Sequence, residues 1–204
     1  MSNTDITKPA DLTGHAILAM IRTIDRLENY IGKKTKADIE KYFLAEKNAA
    51  LFFLILGIVA ILASVIFFAF IKTNWYKGFA VPLFIIGIIQ GVVGYQVYKT
   101  ADEYRKDNVF AYDLNPAKLE SQEMARMQKV KKRLTILLIA EASFFVTAVV
   151  LLLVYKNNAG AAIWRGLAFG LMLQAIVSFG FNLQAGNRAK IYLNGLQSFF
   201  KMKP

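Results

Sequence analysis

The residue best placed to do chemistry is Glu141, the one acid in the apolar run Leu134–Tyr155. A charge at membrane depth costs several kcal/mol, so such a group faces protein or water and finds partners. Helical rise puts Glu141 about 10 Å from the start of its run. Counted from the matching ends of two other apolar runs, Gln90 lies about 12 Å and Gln174 about 13 Å deep. Glu141, Gln90 and Gln174 are therefore expected to form one intramembrane polar cluster drawn from three helices. Two readings follow. In the first, the acid is protonated or strongly hydrogen-bonded and the trio pins the bundle. In the second, it alternates between protonated and charged states and couples proton movement to a substrate or ion. The first is preferred.

Little else in the chain offers catalysis. There are no cysteines and a single histidine, His15, so thiolate chemistry, disulfides and a histidine metal centre lack material. No phosphate-binding loop, dinucleotide fingerprint, zinc-protease motif or nucleophile elbow is present. Asp102, Glu103, Asp107 and Asp113 alternate with Tyr104, Arg105 and Lys106 as a solvated helix face does. The expectation is a protein that is not an enzyme and holds no cofactor and no metal.

The elements that must position these residues are apolar blocks. The 204-residue chain is 56% hydrophobic, and that content gathers in runs of about 20 residues, the length that crosses roughly 30 Å of hydrocarbon. Four runs qualify: 49–71, 78–98, 134–155 and 161–183. The expected fold is all-α, a polytopic membrane protein of two helical hairpins, 49–98 and 134–183. A polar helical region (1–48), a helical loop (99–133) and a basic tail (184–204) complete it. No cleavable signal segment is expected.

Lysine and arginine concentrate in the three segments outside the hairpins, with few in the short connections near Lys72, Lys77 and Lys156. This bias predicts both termini on the cytoplasmic side of a cell inner (plasma) membrane. The formal net charge of +11 then needs no nucleic acid. It reflects that bias and attraction to anionic lipid, for which Lys129, Lys131, Lys132 and Arg133 in "KVKKR" are the expected contacts.

Four spans and a lone membrane glutamate are similar to the small multidrug transporters, which implies proton-coupled export. Those proteins have minimal loops and carry their acid in the first span. Here the halves align at an offset of 84 residues, which puts Gly57 opposite Glu141. If that alignment is a true repeat, the hairpins are related by an axis along the membrane normal.

Close helix approach in lipid is selected by small residues, and Gly87, Gly91, Gly166 and Gly170 are the expected packing positions. Trp75, Tyr76 and Trp164 form an ordinary outer aromatic belt. Before the first run, Ile17, Met20, Ile24, Leu27 and Ile31 alternate at spacings of three and four, an a/d seam on a short helix. Thr13 is its expected cap, Gly32 its expected end, and "TKAD" at Thr35 a second helix start. The seam suits a helix of this chain, of a second copy or of another subunit. Asn115-Pro116 should open a further helix.

The resulting expectation is a non-catalytic membrane binding protein (scaffold, accessory subunit or toxin-immunity type). It self-associates, meets a protein partner on the cytoplasmic side, and touches anionic lipid. The alternative is a small proton- or ion-coupled transporter or channel subunit using Glu141.

Overall fold

The computed structural model describes residues 9–71 and 73–202, and among these every regular element is helical. The side chains of residues 9–13, 15, 28–35 and 202 lie outside the description, which includes the seam position Ile31. Lys8, Lys72 and Lys203, counted in the charge balance, also fall outside it.

Four helices carry the chain. α1 is Pro9–Ile66, closed by a π-helical turn at Phe67–Ile71. α2 is Asn74–Leu114. α3 is Pro116–Tyr155, with a π-helical turn at Leu119–Glu123. α4 is Ala162–Met202, entered through a tight turn at Ala159–Ala161. Each contains a stretch long and apolar enough to cross a membrane, so this is a multi-pass membrane protein.

Each helix is about twice the length that a bilayer core requires, and α1 is longer still. Its 58 residues extend about 87 Å at helical rise. The expected break at Gly32 is a correction: α1 begins at Pro9, ahead of Thr13, and runs unbroken through Gly32 and Thr35. One interior glycine costs about 1 kcal/mol relative to alanine. Helix-forming sequence on both sides absorbs that penalty, so the glycine does not act as a stop. The Asn115-Pro116 junction does reset the chain. Asn115 caps α3 by accepting from the Lys118 N–H at 3.1 Å, and Pro116 stands in the first turn.

The centre of the bundle is the pair α2 and α4. Their apolar stretches are 39% and 33% buried, against 17% for α1 and 11% for α3. α1 packs along α2, α3 packs along α4, and α2 and α4 lie against each other; α1 touches α4 less extensively.

Two different forces hold the two parts of the molecule. Beyond the apolar runs, Ile39, Tyr42, Phe43, Leu119, Met127 and Leu196 close a hydrophobic core contributed by all four helices. Phe43, Ile39, Leu119, Met127 and Leu196 are the largest side chains to be fully buried, apart from Gln90. Water drives that burial at about 25 cal/mol per Å² of apolar surface. Inside the runs the large aliphatic residues, such as Ile58, Leu62 and Ile139, point outward instead. Lipid offers no hydrophobic reward for burying them, so glycines and polar pairs make the contacts.

Candidate functional site

The glycines show how closely the spans approach. A Cβ built on Gly166 would lie 1.9 Å from the Trp75 carbonyl oxygen, and one on Gly78 would lie 1.9 Å from that of Ile163. Gly170 would strike Phe79 and Pro82 at 2.6 Å. On the α1–α2 side, a Cβ on Gly87 would come within 3.0 Å of the Gly57 carbonyl. Gly91 faces open space itself, yet its backbone is what a Cβ on Gly57 would meet, at 2.6 Å. Gly57 and Gly94, small residues on the faces of the first two runs, are close-approach positions as well, and Gly78 at the start of its run is one that its spacing did not reveal. Their partners lie on other helices, where only the three-dimensional register identifies them.

At mid-depth α2 and α4 are joined by a polar bond. Gln90 donates from Nε2 to Gln174 Oε1 at 3.0 Å and to Ser178 Oγ at 3.1 Å, and all three side chains are buried. Gln90 and Gln174 are 84 residues apart, the offset at which the two halves align. Glu141 does not join them. Its Oε1 accepts from Asn182 Nδ2 at 2.5 Å, on the partner helix of its own half. Its Oε2 is buried with no hydrogen-bond partner among the described residues. Gln174, Ser178 and Asn182 therefore make a ladder along α4, one step every four residues. The ladder links α4 to α2 at one end and to α3 at the other. Ser178 and Asn182 were missed in the sequence, although the four-residue spacing from Gln174 was there to be read.

Outside the spans, charges are placed in pairs. Arg126 makes a bidentate bond to Glu123, with both contacts at 2.7 Å, and its guanidinium lies over the rings of Phe43 and Tyr104. Burial opposes the Arg126 charge, but Glu123 and then Glu46 more than compensate, and its pKa rises above the ordinary arginine value. Tyr42 and Tyr192 stack beside this pair at 4.3 Å, and burial pushes both phenols upward. Asp102 pairs with Lys47 across the helices and with Arg105 along its own helix. Lys36 binds Asp113 at 2.6 Å, and that bond raises the lysine pKa.

The remaining sequence-derived residues are at the surface. Lys129, Lys131, Lys132 and Arg133 are all exposed. In the seam, Ile17, Met20, Ile24 and Leu27 are exposed, and so are the adjacent Leu18 and Ile21. No described part of the chain covers them. Among the described residues, no group of three or more His, Asp or Glu side chains is arranged to hold a metal ion. Comparison with protein-family models, with curated proteins and with solved structures gives no match.

Proposed function

We propose that this chain is a non-catalytic membrane scaffold of the plasma (inner) membrane that self-associates through the projecting end of α1. The observation that carries this reading is the uncovered apolar row Ile17, Met20, Ile24 and Leu27 on a helix continuous with a membrane span. In heptad terms Ile17, Ile24 and Ile31 occupy a positions, and Met20 and Leu27 occupy d. Isoleucine at a with leucine at d favours a parallel two-stranded coil. Two copies inserted in one membrane with the same orientation point these helices the same way, so parallel pairing is the arrangement they can reach. Little more than two heptads is marginal alone, but confinement of both copies to one membrane raises their effective concentration. The basic segments put both termini and the bundle beyond the spans on the cytoplasmic side, where a protein partner would meet them. The hairpins 49–98 and 134–183 serve as the anchor.

The purified protein should measure as a dimer in detergent by light scattering. Ile24→Asp/Leu27→Asp, which places charge in the seam without touching the spans, should yield monomers with unchanged helicity. A dimer that survives this double substitution contradicts the reading.

One observation favours the transport alternative, namely that Glu141 Oε2 is buried and unpartnered among the described residues. Glu141→Gln separates the two. It retains an acceptor for Asn182 and removes titration. On the scaffold reading, thermal stability and self-association should stay within about 1 kcal/mol of the native protein, the scale of one hydrogen bond. Proton-linked uptake by proteoliposomes that disappears in Glu141→Gln would instead establish the transporter.

A further inference from the structure

α1, α2, α3 and α4 enclose a crevice of about 250 Å³ where the spans meet the basic end of the bundle. Its inner wall is apolar, made by Phe53, Val93, Val97, Leu134, Leu137 and Phe181. Its outer wall carries Arg133, Arg188 and Glu46. On α1, α3 and α4 the lining passes through the end of the apolar run, and on α2 it reaches Val97, one residue short of that end. It therefore lies at head-group depth, with the oily half inward and the charged half outward.

The packing order explains why a gap opens there. α1 lies on α2, α2 on α4 and α4 on α3, while the backbones of α1 and α3 hardly approach each other. The two outer helices meet through side chains beyond the spans, where Arg126 covers Phe43 at 5.3 Å. Above that contact the space between them faces the lipid from the side.

We propose that this crevice binds one anionic membrane lipid, with an acyl chain along the apolar wall and the head-group phosphate between Arg133 and Arg188. Neither arginine makes an ion pair or a side-chain hydrogen bond among the described residues, so their donors are not already committed. The one acid in the lining is Glu46, and burial pushes its carboxyl upward, opposed by Arg126 and Arg188. The wall is thus net cationic whichever form Glu46 takes. Basic pockets between membrane helices are the known physical means of holding anionic head groups. An arginine pair also suits a phosphate better than lysines, because its planar forks donate in pairs. The exposed Lys129, Lys131 and Lys132 would add a diffuse field around the site, not the site itself.

Native mass spectrometry of the full chain in detergent tests this. Phosphatidylglycerol, phosphatidylcholine and inorganic phosphate serve as probes. One phosphatidylglycerol per chain should be retained in preference to phosphatidylcholine, and millimolar phosphate should not displace it. Each basic side chain near an anionic head group contributes roughly five-fold, so Arg133→Gln/Arg188→Gln should bind about thirty-fold more weakly. Lys129→Gln/Lys132→Gln, whose side chains do not line the crevice, should lose much less than the arginine variant. Ala185→Leu narrows the apolar wall without altering charge and should also reduce retention, with the thermal melt reporting that the bundle is intact. Equal retention of the two lipids, displacement by phosphate, or equal loss in the arginine and lysine variants would overturn the proposal.

Discussion

Gly166→Leu is expected to force α2 and α4 apart and to collapse the assembled bundle. The first atom of the new side chain would sit 1.9 Å from the Trp75 carbonyl, and a rigid backbone cannot swing aside as a flexible side chain can. Overpacking in a well-packed core typically costs about 1–3 kcal/mol, and a backbone clash at the central helix pair belongs at the top of that range or above it. The same movement would pull Gln90 from Gln174 and Ser178, stranding buried polar groups in the apolar interior. The control is Gly180→Ala on the same helix, where an added Cβ meets nothing within 4 Å. Thermal melting in detergent should show a large loss for Gly166→Leu and little change for Gly180→Ala. Equal melting temperatures would mean that the α2–α4 contact does not hold the spans.

Arg126→Met should be comparably damaging, for an electrostatic reason. Glu123 is 3% exposed, and both of its carboxylate oxygens are taken by Arg126. Removing the guanidinium leaves a buried acid without its counter-charge, a change that costs about 3–5 kcal/mol. It also removes the cation that lies over Phe43 and Tyr104, opening the core where all four helices converge. The double variant Glu123→Gln/Arg126→Met removes both charges and should recover much of the loss. If the single and double variants unfold alike in a denaturant titration, the effect is lost packing and not an uncompensated charge.

Gly166 stood among the small residues expected at helix contacts, whereas nothing in the sequence singled out Arg126, and the difference is physical. The spans were legible because lipid demands a local, continuous property, about 20 apolar residues in a row. Asn115-Pro116 was legible because a cap and its proline are adjacent. The core of Ile39, Phe43, Met127 and Leu196 joins segments more than 150 residues apart, and nothing local marks those side chains as neighbours. Gly32 looked like a helix end because glycine often is one, whereas here the flanking helix simply continues. Depth counting brought Gln90 and Gln174 to one level, and they do bond. Asn182 stands eight residues, about 12 Å, further along α4 than Gln174, so Glu141 meets that helix at a different level from the one its count from Leu134 implied.

The chain has no cysteine, which makes self-association through α1 directly measurable. Single cysteines at positions 17 to 27 of α1 can be oxidised in native membranes and read for disulfide-linked dimers. Parallel pairing through the seam requires each residue to meet its own copy, so Ile17→Cys, Met20→Cys, Ile24→Cys and Leu27→Cys should crosslink. Arg22→Cys and Arg26→Cys, on the opposite face, should remain monomeric. A crosslinking pattern without this three-and-four periodicity, or none at any position, would contradict a scaffold that assembles through α1.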